Sequence, residues 1–277
     1  MSDAAGRAPT RWQADALAGI DVCTLHRGTV PLLVSLPHDG SAIPDALAAR
    51  MTAEARRAPD TDWHVSRLYA FARELGASIL VPRYSRYVVD LNRPPDDVSL
   101  YPGQNTTGLC PTVRFSGDPV YLPGQAPSAD EIAVRVEHWW RPYHDALREE
   151  LARLRAAHGR VLLWEGHSIR GECPYLFEGR LPDLNLGTVS GSSCAPETEA
   201  RLIAALRAQS DYDWVVNGRF KGGYITRHYG DPANGIEAVQ LEISQRIYMD
   251  EGSFDYDAAL ASRAAAAIRG LLRAVLT

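Results

Sequence analysis

The stretch "SADEIAVRVEHWWRPYHDALREELARLRAAHGRVLLWEGHS" (128–168) joins a long helix pattern to a buried strand pattern. Ser128 stands three residues before Glu131, which is the capping-box spacing, and an amphipathic run then continues to Gly159, a residue type common at helix ends. The apolar run that follows changes to polar residues where a strand would end. A helix followed directly by a buried strand is typical of α/β folds.

The same alternation continues to the end of the chain. A helix pattern covers 195–209, a strand pattern covers 213–220 and another covers 236–244, before an Ala-rich helix closes the sequence. Strands that alternate with helices predict a mixed, largely parallel sheet with helices on both faces. We therefore expect a three-layer α/β/α fold in which residues 1–277 form a single domain.

The first half of the chain is less regular. Residues 21–28 and 30–40 have the pattern of a hairpin, 62–77 has helical spacing, and 78–95 has the pattern of two strands that end at a Pro-Pro pair. The segment 94–128 is rich in Gly, Pro and Thr and has little periodicity. Long loops of this kind are often functional, so we expect it to lie at the active site.

The composition is that of an ordinary globular protein, with 45% hydrophobic and 23% charged residues among 277. A formal net charge of −5 and the lack of a basic run argue against a nucleic-acid partner. Residues 1–16 have no apolar signal-peptide core, and no apolar run reaches membrane-spanning length, so we expect a cytoplasmic protein without membrane association. Four widely spaced cysteines favour reduced thiols over a disulfide frame.

Polar residues follow several of the predicted strands. Ligands bind beyond the carboxyl ends of strands in open α/β sheets, so these residues form one candidate site. A lone histidine there is more often bonded to nearby backbone, but two histidines and a carboxylate form the ligand set of a catalytic zinc centre. Such a set also accepts iron, cobalt or manganese. The strand-end residues are His38, Asp39, Asp90, Asn92, Arg93, Glu165, His167 and Glu242.

Several acids are candidates for the third ligand that would complete a metal site with the two histidines. An H-x-x-E pair needs an acid three residues after His38, but that position is Ser41. Asp60 and Asp62 precede a helix pattern, where an Asp either caps the helix or points at a metal. We favour Asp62 as the third ligand, with Asp60 and Asp39 as the alternatives.

Glu242 interrupts an otherwise apolar strand pattern. A carboxylate is costly to bury there unless it is paired or functional. We predict that Glu242 is a general base that takes a proton from the attacking water and passes it to the leaving nitrogen. The alternative interpretation is a structural salt bridge to Arg246.

Several arginines lie in Gly- or Pro-flanked segments. Arg86 and Arg93 stand at the two ends of one strand-like piece, and Arg219, Lys221 and Arg227 surround three glycines. Arginine pairs bidentately with carboxylates, and glycine lets backbone approach a small ligand closely. The pattern predicts a small acidic substrate, with scattered surface arginines as the alternative.

Two other functions are compatible with parts of the sequence. A serine hydrolase would use Ser168 with His228 and either Asp231 or Asp213, but the G-x-S-x-G spacing fails because Gly171 comes one residue late. A non-catalytic protein that binds acidic amino acids would need the arginines but no general base.

Seven motifs together resemble the N-formylglutamate amidohydrolase (N-formylglutamate deformylase) family. The resemblance extends from about Val30 to Glu251. It implies a zinc-dependent hydrolase of the phosphorylase/hydrolase-like α/β fold, related to zinc carboxypeptidases, that cleaves N-formyl-L-glutamate to formate and L-glutamate in histidine degradation. The alternative within the same fold is another zinc-dependent N-acyl amino acid deacylase or a carboxypeptidase-like hydrolase. The motifs are "SLPHDG", "DTDWHVSRLY", "PRYSRYVVDLNRP", "LWEGHSI", "GTVSGSSC", "NGRFKGGYITRHYG" and "AVQLEIS".

The resemblance also implies roles for individual residues. His38 and His167 would bind Zn²⁺ with Asp62 as the favoured third ligand, and Glu242 would be the base. Arg86 would stabilise the negative oxygen of the tetrahedral intermediate. The residues expected to bind the substrate carboxylates are Asn92, Arg93, Arg227 and Arg219.

Overall fold

A computed structural model describes residues 21–100, 103 and 105–276, and the strands in this part of the chain form one seven-stranded sheet. The strand order is β1-β3-β2-β4-β7-β5-β6. The strands are β1 Cys23–His26, β2 Leu32–Ser35, β3 Ser78–Pro82, β4 Val161–Ile169, β5 Leu184–Gly187, β6 Trp214–Val216 and β7 Ile236–Ser244.

The sheet is mixed and largely parallel. The pairs β2/β3, β2/β4, β4/β7 and β5/β6 are parallel, whereas β1/β3 and β5/β7 are antiparallel. The parallel pair β4/β7 places His167 directly beside Glu242. Because parallel strands end at the same edge, polar residues from distant parts of the chain meet there.

Helices cover both faces of this sheet. Four 3₁₀ turns lie at Ala55–Arg57, Tyr69–Arg73, Pro232–Asn234 and Gln245–Ile247. The α-helices are α1 Asp45–Ala48, α2 Val65–Leu68, α3 Ala129–Arg135, α4 Arg141–His158, α5 Pro196–Ala208, α6 Tyr224–Tyr229 and α7 Ala258–Leu276, and a π-helical turn, Val136–Trp140, joins α3 to α4.

The long helical segment begins and ends as its sequence predicts. The Ser128 hydroxyl accepts a hydrogen bond from the Glu131 N–H at 3.3 Å, and Gly159 ends the segment with φ of +75°. Pro142 has no N–H to give to the carbonyl four residues earlier, which accounts for the widened turn at Val136–Trp140.

Two apolar layers separate the sheet from its helices. Trp164 of β4 and Ile268 of α7 belong to the layer on one face, whereas Leu163 of β4 and Leu147 of α4 belong to the layer on the other. Neighbouring residues of β4 therefore pack in opposite layers, as strand geometry requires. The predicted three-layer α/β/α fold is confirmed. No helix in the described part of the chain has the length and apolar character needed to cross a membrane.

The first half of the chain departs from its predicted elements. The hairpin prediction for 21–40 is wrong, because β1 pairs with β3, which lies between β1 and β2. The second strand predicted within 78–95 is also wrong, because residues 83–95 form turns. Side chains supply the local hydrogen bonds there, and the Asp90 carboxylate accepts the Asn92 N–H at 2.9 Å.

Two further predicted segments differ in the structure. The helix predicted at 62–77 is reduced to the short α2 followed by a 3₁₀ turn. The Gly-rich loop predicted before β7 contains the short helix α6. In the described residues of 94–128, pairing before α3 is limited to isolated bridges such as Val113 with Pro119.

Candidate active site

Two neighbouring strands change from apolar to polar on one face near their carboxyl ends. Along β4 the residues that share this face are Leu163, Glu165 and His167, and along β7 they are Gln240 and Glu242. All five are buried. A row of buried polar groups on a packed sheet needs partners, and those partners build the site.

His38, Asp62 and His167 form the one cluster in the described chain whose ligand atoms converge as a metal site requires. The atoms lie within 4.8 Å of one another. The Asp62 carboxylate is 3.1 Å from Nδ1 of His167 and 3.9 Å from Nδ1 of His38. The three residues could hold a divalent cation.

The outer ring nitrogens of both histidines are bonded to carboxylates. Nε2 of His38 lies 2.7 Å from Asp90, and Nε2 of His167 lies 2.6 Å from Glu165. A carboxylate bonded to Nε2–H favours the tautomer that leaves the Nδ1 lone pair free for a metal. Asp62 is oriented in turn by the Ser168 N–H at 3.0 Å. This donor set, with its outer carboxylates, fits a metal such as zinc.

The two alternative acids are engaged elsewhere. Asp60 accepts hydrogen bonds from the Tyr87 hydroxyl at 2.7 Å and from the Phe115 N–H at 2.8 Å. Asp39 accepts the Ser66 N–H at 2.7 Å in the first turn of α2. The acid that caps this helix is therefore Asp39, whereas the acid that faces the histidines is Asp62.

Arg86 and Asp90 form a buried ion pair beside the candidate metal ligands. The guanidinium donates to Asp90 at 2.6 Å and lies over the Phe115 ring, 4.7 Å from its centre. Burial alone would raise the pKa of Asp90, but Arg86 and His38 outweigh it and hold that pKa well below its usual value. One carboxylate thus orients both a candidate metal ligand and a cation that lines the same cavity.

A cavity opens above these groups, and most of the predicted substrate-binding residues line it. Asn92 is fixed by the Ile225 N–H, which donates to its Oδ1 at 2.8 Å. Arg93 is half-buried and donates to the Thr107 carbonyl at 2.8 Å. The predicted site residues in the lining are His38, Asp62, Arg86, Asn92, Arg93, His167, Arg219 and Glu242.

Arg227 is the predicted substrate-binding residue that does not line this cavity. Its Nε donates to the Gly222 carbonyl at 2.9 Å. Arg227 therefore contacts the backbone of the Gly-rich segment that precedes α6.

Glu242 is not held by the salt bridge considered as its structural alternative. Arg246 instead bonds Asp183 at 2.5 Å and Ser244 at 2.5 Å. Within the described residues, no donor lies at hydrogen-bond distance from the Glu242 carboxylate. A buried carboxylate that lines a cavity without a fixed partner can exchange a proton with a bound molecule.

The ionisation of these groups follows from burial and from neighbouring charge. Burial lowers the pKa of His38 because the charged ring would lose its hydration. Burial acts the same way on His167, but Glu165 and Asp62 outweigh it and hold its pKa well above the usual value. Burial raises the pKa of Glu242 to about 8. An acid with a pKa near neutrality is suited to both accepting and returning a proton.

The raised pKa of Glu242 makes the stability of the metal-free protein depend on pH. In the folded state Glu242 keeps a proton that it releases near pH 4.5 in the unfolded chain. The stabilisation of the folded state by this proton is therefore complete below pH 4.5 and is lost as the pH rises to about 8. We expect the free energy of unfolding of the metal-free wild type to fall relative to that of Glu242→Gln across this range, as measured by urea titration. Parallel pH profiles would contradict the raised pKa.

Ser168 is not placed as a nucleophile. Its hydroxyl lies 2.7 Å from the Tyr248 hydroxyl, on the face of β4 opposite His167. The histidine proposed as its base, His228, stacks on Tyr224, and Asp231 bonds Asn234. The structure does not bring the members of a serine triad together.

We therefore expect Ser168→Ala to keep its hydrolytic turnover within about twofold. Loss of the hydroxyl removes two buried hydrogen bonds, one with the Tyr248 hydroxyl and a longer one from the Gln245 amide at 3.4 Å, which together cost about 1–3 kcal/mol of stability. Steady-state kinetics and thermal unfolding measure the two quantities. A collapse of turnover in a folded, metal-loaded Ser168→Ala protein would restore the serine-hydrolase hypothesis.

Three buried residues of the site, Asp90, Glu165 and Gln240, are assigned no function by the sequence analysis. Asp90 and Glu165 stand out in the sequence as polar residues at strand ends, but their contacts with the histidines are visible only in the fold. Gln240 was missed entirely. Its signal is the two-residue spacing from Glu242, which puts both side chains on one face of β7.

Comparisons with known proteins identify the family of this chain. The model of the N-formylglutamate amidohydrolase family matches residues 30–249. An N-formylglutamate deformylase of Pseudomonas aeruginosa is 54% identical over 257 residues, which cover 92% of this chain and 96% of that protein. One of Pseudomonas putida is 51% identical over 256 residues, with the same two shares.

A solved structure shows the same fold. The crystal structure of an N-formylglutamate amidohydrolase from Ralstonia eutropha superposes with a TM-score of 0.78 at 26% identity. The match covers 93% of this chain and 96% of that one. The similarity in fold therefore extends over nearly the whole of both chains.

Proposed function

This chain belongs to the N-formylglutamate amidohydrolase family, and from that premise we propose that it hydrolyses N-formyl-L-glutamate to formate and L-glutamate. The observation that carries the proposal is one cavity lined by a potential metal-binding triad, a buried carboxylic acid and several arginines. A formyl group is small, so selectivity would come mainly from groups that bind the glutamate part.

We propose Zn²⁺ as the cofactor, held by His38, Asp62 and His167. Two imidazoles and one carboxylate leave a coordination position open, as catalytic zinc sites do. A bound zinc ion would supply Lewis acidity, which makes water a better nucleophile near neutral pH. Asp90 and Glu165 would keep the two imidazoles in the ligating tautomer.

Glu242 is proposed to carry the proton. Its side chain lies beside that of His167 on the neighbouring strand, at the same face of the sheet. From there it would take the proton of the attacking water and return it to the amine nitrogen as formate leaves. Its raised pKa supports this two-way role.

Arg86 is proposed to stabilise the negative oxygen that forms when the formyl carbon is attacked. Its Nη2 is held by Asp90, whereas its buried Nε has no partner among the described residues. A cation fixed in advance in a water-poor site stabilises developing charge without reorganising.

The carboxylates of the substrate are proposed to bind Asn92, Arg93 and Arg219. These residues line the cavity, and arginine forks match carboxylates bidentately. The resemblance implies that Arg227 binds a substrate carboxylate. Because its Nε donates to the Gly222 carbonyl, we instead propose that Arg227 supports the Gly-rich segment.

The function is tested by release of L-glutamate, the product common to N-formyl-L-glutamate, N-acetyl-L-glutamate and N-succinyl-L-glutamate. We expect turnover to be much the fastest with the formyl substrate, to stop after treatment with a chelator, and to return on adding Zn²⁺. Faster cleavage of the acetyl or succinyl compound would identify a different N-acyl hydrolase. Full turnover in protein shown to be metal-free would contradict the metal assignment.

We also propose that the enzyme works in the cytoplasm on this free small molecule. All four cysteines are free, as a reducing compartment favours.

A further inference from the structure

Gln240 holds its side-chain amide in one orientation at the floor of the cavity. It lies on β7 two residues before Glu242, lines the cavity and is only 4% exposed. Its Oε1 accepts the Gly223 N–H at 2.6 Å. A backbone N–H needs an acceptor, so this bond decides which end of the amide is oxygen and which is nitrogen.

The other end of the amide is an unused donor. Within the described residues, no acceptor lies at hydrogen-bond distance from the Gln240 Nε2. Nε2 is not one of the fully buried side-chain atoms that lack a partner, so this donor is accessible from the cavity that Gln240 lines. A ligand in the cavity can therefore offer its own acceptor to this N–H in place of water.

The surroundings of Gln240 require two glycines. Gly187 pairs with Gln240 across β5 and β7, and a Cβ at Gly187 would come 2.8 Å from the Lys221 backbone. A Cβ at Gly223 would collide with the Asn92 amide. Only without these side chains can the loop bring the Gly223 N–H to Gln240.

The position of Gln240 selects the part of the substrate that it reaches. Two residues along a strand span about 7 Å, so Gln240 lies about that far below Glu242, which serves the reacting nitrogen. In an extended glutamate the side-chain carboxylate lies about 5 Å from that nitrogen, whereas the α-carboxylate lies about 2.5 Å from it. The side-chain carboxylate is the charged group of the substrate that extends farther from the nitrogen toward Gln240, and a hydrogen bond of about 2.9 Å to Nε2 can close the remaining gap.

We propose that Gln240 is a specificity-determining residue whose Nε2 donates a hydrogen bond to the side-chain carboxylate of N-formyl-L-glutamate. This inference rests on the proposed function. Gln240 would recognise the end of the side chain, and the nearby arginines would supply the charge. A substrate of the same length without the side-chain carboxylate would gain nothing from this amide.

The test compares N-formyl-L-glutamate with N-formyl-L-norvaline, whose side chain ends in a methyl group. In Gln240→Met we expect kcat/KM for N-formyl-L-glutamate to fall about 10- to 100-fold, the range for a hydrogen bond to a charged group. For N-formyl-L-norvaline we expect a change of less than about threefold. The exposed Gln125→Met, outside the cavity lining, is the matched control and should change neither value.

The ratio of the two effects separates recognition from structural damage. Loss of the Gly223 contact would slow both substrates equally. If Gln240 bound the α-carboxylate, which both substrates have, its replacement would also slow both equally. Equal losses would therefore overturn the proposal. If Gln240→Met does not fold, Gln240→Glu keeps an acceptor for Gly223 and should show the same selective loss. Wild-type protein that fails to turn over N-formyl-L-glutamate would instead refute the proposed function.

Discussion

Replacing Glu242 by Gln is expected to lower kcat for N-formyl-L-glutamate by about 100- to 10,000-fold, the range that general acid–base catalysis contributes. The substitution keeps the shape of the side chain but removes the group that would accept and return the proton. We expect KM and metal content to change little, because Glu242 is not one of the three clustered ligand residues. Steady-state kinetics and elemental analysis of the purified variant measure all three quantities.

Glu237→Gln is the matched control for this substitution. Glu237 lies on the same strand near its other end, where its carboxylate accepts the Ala195 N–H at 2.9 Å. A glutamine oxygen can still accept that bond, so turnover should stay near the wild-type value. Full activity of metal-loaded Glu242→Gln would refute the general-base role, and loss of its metal would mean that Glu242 is a ligand instead.

Asp62→Asn is expected to produce the second large effect, a loss of more than about 100-fold in metal affinity. Loss of an outer-shell partner of a metal ligand typically costs about 10- to 100-fold, and a direct ligand should cost more. The substitution also leaves His38 and His167 without the negative charge between them. Competition with a chromophoric chelator measures the affinity, and turnover should recover in part at high metal concentration.

Asp39→Asn and Asp60→Asn are the controls that separate the three candidate acids. Asp39 bonds the Ser66 N–H and Asp60 bonds the Tyr87 hydroxyl, so each variant should lose about 1 kcal/mol of stability. Their metal affinity should stay within a few-fold of the wild type. If either control lost metal as completely as Asp62→Asn, the assignment of the third ligand would be wrong.

Local signals made the second half of the chain predictable. The helix that starts after Ser128 carries its own cap, and Gly159 supplies its end. The strand β4 begins with four apolar residues, so Glu165 and His167 stand out as exceptions in the sequence, and in β7 Glu242 stands out between Leu241 and Ile243. Such features depend on neighbours in the chain, so no tertiary information is needed to detect them.

Predictions for the first half were wrong where long-range contacts decide the structure. Two adjacent strand patterns at 21–40 suggested a hairpin, but β3 pairs with both strands and separates them. The apolar residues Tyr87, Val88 and Val89 resemble a strand, yet they pack into the core from a turn. Side-chain bonds of Asp60 and Asp90 hold that turn, and sequence spacing does not reveal such bonds.

The sequence alone determined the α/β fold, the family and the set of polar residues at the strand ends, because periodicity and motifs are local properties. Only the tertiary structure decided which acid faces His38 and His167, that Ser168 points away from them, and that Gln240 shares the cavity with Glu242. These outcomes depend on strand order and register, which join residues far apart in the chain. Side-chain direction within a strand then decides which of those residues meet.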